Sequence, residues 1–416
     1  MDNRKYIEGI CERAKTASRS IAGYSAGRKN AILGSIAANL RNRADRIIAE
    51  NRKDLEAAER DSLGAAMIER LILDPKRIEA MAVSVEEIAR MEDPIGRVEN
   101  MVQRPSGIRV GRMRVPIGVV AVIYESRPNV TIDIAALCLK SGNAAILRGG
   151  KEALHSNTAL HGAVLDALRE ASAPESAVSL IEKTDRELVP ILVKMNRHID
   201  IVVLRGGESL IRSVTAESTI PVIKHDKGVC HVFVDESAGR EMASRIAVNA
   251  KVQRPGVCNA MECLLIHERY PHAADLLSGL LDSGVELRGC EKTVALMPGR
   301  IRPAAADDWG REYLDLILAV KIVGSIDAAI EHIAAYGSGH SEAIVTADYL
   351  NAERFLRDVD SAAVFVNAST RFHDGGEFGL GAEVGISTQK LHARGAMGLE
   401  GLTSLKYVIY GKGEIR

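Results

Sequence analysis

The residues best placed to do chemistry gather around one cysteine. Cys258 stands in Gln253-Arg-Pro-Gly-Val-Cys-Asn-Ala-Met-Glu262, where Pro255 and Gly256 mark a loop and the apolar run Glu262–His267 reads as a strand. A thiol on such a loop is partly exposed, and nearby cations or backbone amides lower its pKa and make it nucleophilic. The bland alternative is a small buried hydrophobe. It suits Cys138 on an apolar helix face, Cys263 at a strand start, Cys11 and Cys290, while Cys230 stands open between the two. The six cysteines are scattered and include no Cys-x-x-Cys pair, which argues against a disulfide framework and against a zinc site. The expectation is a single working thiolate and no metal.

Polar patches flank that loop in the sequence. Ile223-Lys-His-Asp-Lys-Gly-Val-Cys-His231 packs two Lys, two His and an Asp into nine residues. It reads either as a lining that holds anionic groups near the thiol or as a solvated turn. Val366-Asn-Ala-Ser-Thr-Arg-Phe-His373 follows a strand directly, and ligands sit at the carboxyl ends of strands in open parallel sheets. Asn367, Ser369, Thr370 and Arg371 there can grip a carboxylate or phosphate, with Arg as a bidentate fork. Two further strands end alike, as Leu147-Arg148-Gly149-Gly150 and Leu204-Arg205-Gly206-Gly207. Such glycines admit a phosphate to the backbone and a helix N-terminus, or they serve tight turns that need positive φ. No G-x-G-x-x-G fingerprint or Walker loop accompanies them, and Gly379-x-Gly381-x-x-x-Gly385 has the wrong spacing.

The elements that must position these groups follow from the apolar period. Over the first hundred residues Ile32, Ile36 and Leu40 share one face, as do Ile78, Met81, Val85 and Ile88, which reads as amphipathic helices. Asp74-Pro75 reads as an N-cap followed by proline in the first turn. From Gly118 short apolar runs alternate with helical stretches: 118–125, 144–148, 178–182 and 201–205. Continuous apolar strands separated by helices mean a parallel sheet covered on both faces, a doubly wound layout. A second alternating region offers strands at 231–235, 262–267, 294–297, 320–324, 343–346 and 362–367. Ile108-RVGRMRV-Val115, with Gly111 in the middle, alternates like a hairpin, and Lys406-YVIY-Gly411 reads as a terminal strand. Unmatched edges of this kind call for another subunit, so they are expected to build a dimer.

Length and composition bound the function. At 416 residues the chain is long enough for two or three domains. Lys plus Arg (54) nearly balance Asp plus Glu (55), so no bulk charge draws the chain to nucleic acid or anionic lipid. No apolar run approaches the ~20 residues that cross a bilayer, and the start of the chain lacks a signal-peptide core. We expect a cytoplasmic protein.

Taken together the patches carry a resemblance. Gly118-VVAVIYESRPNVTIDIAALCLKSGNAAILRGGKEA-Leu154, Arg254-PGVCNAME-Cys263, Tyr336-GSGHSEAIVT-Ala347 and Phe365-VNASTRFHDGGEFGLGAEVGISTQKLHARG-Ala396 closely resemble the signatures of the gamma-glutamyl phosphate reductase family, in that family's order and nearly end to end. The resemblance implies an aldehyde-dehydrogenase-like α/β fold: two doubly wound α/β domains plus a small β oligomerisation element. It assigns 1–101 and 117–228 to an NADP-binding domain and 229–398 to a catalytic domain. An oligomerisation hairpin and terminal strand take 102–116 and 399–416.

The family's reaction is the NADPH-dependent reduction of L-glutamate 5-phosphate to L-glutamate 5-semialdehyde with release of phosphate, the second step of proline biosynthesis. Carried onto this chain, the family's nucleophile is Cys258, which forms a thioester with the acyl group. The superfamily's hydrolytic Glu-Leu-Gly-Gly motif aligns with Val222-Ile-Lys-His-Asp-Lys-Gly228, which holds no Glu, as suits an enzyme that must keep water off its thioester. The oxyanion Asn of a Trp-Asn-Phe-Pro motif is replaced by Glu125-Ser-Arg-Pro128, leaving Asn129, Asn259 and the Cys258 amide as candidates for site support. The superfamily's cofactor-ribose Lys falls near Arg148 and Gly149, where an Arg can pair with the 2′-phosphate of NADP(H). Gly207 and Ser209 fall at the pyrophosphate turn. Glu312 matches the nicotinamide-ribose Glu, without the usual Phe-Gly-Pro.

For the substrate we expect Ser369, Thr370 and Arg371 to bind one anionic end and His225 to help bind the phosphate. Ala396 stands where the family's Pro is expected, a change of loop stiffness rather than chemistry. The implied partners are a second copy of the chain, as a homodimer or homotetramer, and, transiently, the glutamate 5-kinase that makes the labile acyl phosphate.

Overall fold

The helical start of the chain forms as its caps require. A computed structural model describes residues 2–224 and 227–416. Asp2 accepts from the Arg4 amide at 2.9 Å to open α1 (Asn3–Ile21), and Ser25 caps α2 (Ala26–Asn42). Two more helices, α3 (Ala44–Arg60) and α4 (Ala65–Leu71), precede α5 (Pro75–Arg90). Asp74 caps α5 through the Arg77 amide at 2.7 Å, with Pro75 in the first turn. The faces read from the sequence are the buried ones: Ile32, Ile36 and Leu40 on α2, and Ile78, Met81, Val85 and Ile88 on α5.

The chain divides into two compact units. The first comprises Met1–Lys224 with Gly379–Ile386 and Leu391–Arg416. Its centre is a parallel sheet of β3 (Val119–Tyr124), β4 (Ala144–Arg148), β5 (Val178–Leu180), β6 (Ile201–Arg205) and β7 (Val222–Ile223), ordered β5-β4-β3-β6-β7. Both faces are covered, by α6 (Asn129–Lys140), α7 (Leu154–Glu170), α8 (Leu188–Leu192), α9 (Glu208–Glu217) and the N-terminal helices. Every residue of β3 is therefore buried, each large aliphatic contributing about 1.5–3 kcal/mol. Residues 379–386, read from the sequence with the second domain, fold here: Val384 joins the core and Glu383 pairs with Arg205 at 3.3 Å.

This unit also carries an antiparallel sheet, and here the structure corrects the sequence. The stretch 108–115 is not itself a hairpin but one strand, β2 (Arg109–Pro116), and Gly111 lies inside it. The hairpin partner is β1 (Val98–Gln103), and the chain reverses between Gln103 and Arg109. The terminal strand pairs with β2 in the same chain, from Thr403 against Pro116 to Tyr410 against Arg109. The edge expected to pair with a second subunit is thus filled internally. The outer edges are β1 and that last strand.

The second unit is His225–Phe378 with Ser387–Lys390. Its parallel sheet has the order β11-β10-β12-β9-β8-β13-β14. The strands are β8 (Cys230–Val234), β9 (Met261–His267), β10 (Glu286–Gly289), β11 (Arg302–Pro303), β12 (Ile317–Val323), β13 (Ser341–Val345) and β14 (Ala363–Val366). Helices α10 (Arg240–Val252), α11 (Ala273–Asp282), α12 (Glu291–Leu296), α13 (Ile326–Tyr336) and α14 (Tyr349–Asp358) accompany it. Of the strand expected at 294–297, residues 294–296 instead end α12, the four-residue apolar run being too short to distinguish the two. Two short strands, β15 (Ile386–Ser387) and β16 (Gly395–Ala396), precede β17 (Thr403–Tyr410).

Candidate active site

Cys258 sits half-buried in the turn between α10 and β9, as its Pro-Gly loop required. The next residue anchors that turn. Asn259 is buried, its carboxamide nitrogen donates to the His373 carbonyl at 3.0 Å, and its side-chain oxygen accepts from Arg371. Thr370 Oγ1 donates to the Asn259 carbonyl at 2.7 Å. The Ser369 hydroxyl accepts the Arg371 amide at 3.3 Å, opening a single 3₁₀ turn, Thr370–Phe372. Arg371 Nε donates to Gln253 Oε1 at 2.8 Å. The polar residues after β14 are thereby tied to the cysteine loop on both sides. Thr370 and Ser369 spend these hydroxyl contacts on the frame, while Arg371 is the charged group presented beside the thiol.

The electrostatics follow from that packing. Partial burial lowers the pKa of Arg371, and the like charge of Arg254 adds to the effect. Asp374 and the sulfurs of Cys258 and Cys230 act in the opposite sense. Arg371 therefore acts on the Cys258 thiol, with the Arg254 guanidinium close enough to repel it. Behind it, Cys230 is fully buried and its Sγ donates to the Cys258 carbonyl at 3.2 Å. Burial, helped by the negative charge of Glu342, pushes the Cys230 thiol well above its ordinary pKa, so it is a positioning donor and not a second nucleophile. His225 lies outside the described residues.

Glu312 reaches the same turn from another direction. Its Oε1 accepts the Gly228 amide at 2.9 Å. The loop carrying Glu312 is held by Glu262, which accepts the Leu314 amide at 3.1 Å and pairs with Lys251 at 2.6 Å in full burial. Sequence reasoning missed Lys251 and Glu262, because each alone reads as a surface charge. It also passed over Gly228, whose role is spatial.

In the first unit, the two glycine-ended strands resolve an alternative left open by the sequence. Gly149, Gly150, Gly206 and Gly207 are absent from the positive-φ residues, so turn strain does not explain them. Space does: a β-carbon at Gly149 would lie 2.1 Å from Asn157 Nδ2, and at Gly206 2.6 Å from Glu125 Oε2. The Gly207 amide, opening α9, donates to the Glu125 carboxylate at 2.9 Å, with Ser209 exposed beside it in the first turn. A carboxylate held there shows that this helix start accepts an anion. Arg148 folds back onto the carbonyls of Gly149 and Thr184 at 2.6 and 3.2 Å. Asn129 is exposed and donates to Asp133 at 2.9 Å.

The cysteines separate as follows. Cys11, Cys138 and Cys263 are buried, as read from the sequence. Cys290 departs from that reading. It is half-buried at the start of α12, and although burial works against the charge, the Thr293 hydroxyl and the Ile322 amide hold its thiol below the ordinary value.

Comparisons with known proteins bear on the family and the fold. The aldehyde dehydrogenase family model matches residues 2–282. A gamma-glutamyl phosphate reductase of Caldanaerobacter subterraneus subsp. tengcongensis is 55% identical over 414 residues, 99% of each chain. The crystal structure of the gamma-glutamyl phosphate reductase of Thermotoga maritima superposes with a TM-score of 0.95 at 45% identity, covering 99% of both chains. An acetylating aldehyde dehydrogenase of Geobacillus thermoglucosidasius, 18% identical, shares the fold with a TM-score of 0.71 over 100% of this chain and 98% of its own.

Proposed function

This chain belongs to the aldehyde dehydrogenase family and, within it, to the gamma-glutamyl phosphate reductases, and from that premise we propose that it reduces L-glutamate 5-phosphate to L-glutamate 5-semialdehyde, with NADPH and release of phosphate, in proline biosynthesis. The observation that carries the reading is the setting of the thiol: Cys258 half-buried, with Arg254 and Arg371 both acting at one loop. Two guanidiniums suit an acyl phosphate and the phosphate that leaves it. A neutral aldehyde would have no use for them.

In this reading the Cys258 thiolate attacks the acyl carbon, the carbon–oxygen bond to phosphate breaks, and a thioester forms. Arg371, fixed by Asn259 and Gln253, takes one anionic end of the substrate, and backbone amides of the Cys258 turn face the developing oxyanion. No glutamate lies in 222–228 to activate water. Glu262 is committed to Lys251, and one carboxylate oxygen of Glu312 to the Gly228 amide. The thioester is therefore kept for reduction, and the resulting thiohemiacetal collapses to aldehyde and thiolate.

The residues fit the nicotinamide cofactor. The α9 start already takes the Glu125 carboxylate, as it would an anionic phosphate, while the room beside Gly149 and Gly206 is taken by Asn157 and Glu125. Arg148, Gly149, Gly207 and Ser209 would hold its phosphates and ribose, with Glu312 for the nicotinamide ribose. When bound it supplies the hydride. Arg148 favours NADP over NAD.

The test runs the reaction backwards, with glutamate 5-semialdehyde, NADP and inorganic phosphate, following NADPH. Phosphate-dependent turnover that disappears in Cys258→Ala supports both reaction and nucleophile. Turnover without phosphate would instead mark a hydrolytic dehydrogenase, and no turnover by folded protein would reject the substrate. The β1-β2-β17 sheet leaves Val102, Tyr407, Ile409 and Tyr410 exposed. We propose it as the homo-oligomer contact, which Tyr407→Lys with Ile409→Lys would weaken in light scattering.

A further inference from the structure

Three side chains from distant parts of the sequence meet on one face of the seven-stranded sheet. They are His231 of β8, Cys263 of β9 and His332 of α13, all buried, and one nitrogen or sulfur ligand atom from each lies within 4.8 Å of the others. Parallel pairing sets His231 opposite Cys263 and Glu342 opposite His231, so Glu342, His231 and Cys263 form a polar row across three strands. Around them the face is apolar, with Phe233, Leu265, Ala319, Ile333 and Phe355.

The arrangement has the features of a ligand set. Glu342 Oε2 is 3.0 Å from His231 Nδ1. A carboxylate on one imidazole nitrogen is what fixes the other as a metal donor. His231 Nε2 is buried with no hydrogen-bond partner among the described residues. His332 Nε2 lies 3.6 Å from Cys263 Sγ, the spacing of two ligands on a tetrahedral ion with Zn–S about 2.3 Å and Zn–N about 2.0–2.1 Å. The His332 ring is fixed by Trp309 and Tyr336, at centroid distances of 5.6 and 4.7 Å.

We propose that His231, Cys263 and His332 form a buried zinc site, separate from the Cys258 loop, with Glu342 orienting His231. Its ligands follow no zinc-finger spacing, and they come together only through the pairing of β8 with β9 and the packing of α13. On binding, the Cys263 S–H bond breaks, its proton passes to solvent and a sulfur–zinc bond forms. His231 binds through Nε2 and keeps Nδ1–H toward Glu342. His332 binds through Nε2 with its proton on Nδ1. Lys321, whose Nζ is 3.1 Å from His332 Nδ1, must then give up that contact. It is only half-buried and already lies over the Trp309 ring. The thiolate and the Glu342 carboxylate balance the two charges of the ion, as a buried site requires.

Cobalt(II) is the probe, supplied in the growth medium so that the full chain folds around it. The expected result is about one cobalt per chain after dialysis, with a thiolate-to-cobalt charge-transfer band. The band should vanish in Cys263→Ser, persist in Cys258→Ser and Cys290→Ser, and survive chelator at least tenfold less well in His332→Gln. Lys321→Met should retain the ion better. Absence of bound cobalt in the wild type would overturn the site, as would a band unchanged in Cys263→Ser or lost only in Cys258→Ser. Should Cys263→Ser fail to fold, X-ray absorption on the wild type decides: one sulfur and two imidazoles support the site, and any other count of sulfur and imidazole rejects it.

Discussion

Gly228 is pressed against the nucleophile's backbone: a β-carbon placed on it would stand 2.0 Å from the Cys258 carbonyl oxygen and 2.5 Å from its Cα. Its own amide is held by Glu312, so residue 228 cannot retreat without losing that bond. Any side chain must therefore displace the Cys258 turn. A misplacement of about 1 Å at a reacting group costs on the order of 10²-fold in rate. Gly228→Ala should lower kcat at least that much while the melting temperature stays within a few degrees. Steady-state rates and circular dichroism check both, and full activity would show that Gly228 does not set the position of the thiol.

Arg371 has a different signature. Its guanidinium is fixed by Gln253 and Asn259, and a charge-assisted bond to an anionic substrate contributes about 1.5–3 kcal/mol. Arg371→Ala should raise the KM for the acyl phosphate tenfold or more, and Gln253→Ala should raise it less. An unchanged KM in Arg371→Ala would remove it from the substrate site.

How far the sequence reached can be read from particular elements. Strands β3, β4, β6, β8 and β9 were legible because sheets covered on both faces demand unbroken apolar runs. Strand β10 was not: Glu286-Leu-Arg-Gly289 buries only alternate residues, Leu287 and Gly289, and so reads as polar. The Cys258 loop was legible through its Pro and Gly. Arg371 was legible as a type but not as a geometry, since its partner Asn259 lies far away in sequence. The Lys251–Glu262 pair was invisible, because charge compensation in a core exists only after folding.

That pair carries its own prediction. Both side chains are buried, at 0% and 1% exposure, and removing one partner strands the other, a loss of about 3–5 kcal/mol. Glu262→Gln should therefore destabilise by that order in urea unfolding, and it should also loosen the Leu314 amide that Glu262 holds. The double variant Lys251→Met with Glu262→Leu should recover most of the stability but not the activity. Equal stability of Glu262→Gln and wild type would show that the pair is not needed.

Asp133 gives a pH dependence. Burial pushes its carboxyl from 3.8 up to about 6, against the opposing effects of the Asn129 amide and Arg205. A raised carboxyl means the folded state favours the protonated form. Its stabilising contribution is full below about pH 3.8 and is lost as pH rises through about 6. Asp133→Asn keeps the neutral form at every pH. Its melting temperature relative to wild type should increase between pH 4 and pH 8, and a difference that is flat or of opposite sign would contradict the burial argument.

The cysteines provide the last test, because exposure separates two of them from the other four. Burial pushes the thiols of Cys11 and Cys138 up to about 12, with Glu8 and Glu12 adding to the effect at Cys11, and Cys230 and Cys263 have no access to solvent. Cys258 and Cys290 are the two half-buried cysteines. Iodoacetamide on the native protein at neutral pH should therefore alkylate these two and spare the other four, as peptide mass spectrometry would show. Inorganic phosphate, drawn to Arg254 and Arg371, should slow labelling of Cys258 and leave Cys290 unchanged, since Cys290 owes its lowered pKa to Thr293 and the Ile322 amide. If phosphate protected both or neither, the two arginines would not form an anion site at the thiol, and the acyl-phosphate reading would lose its main support.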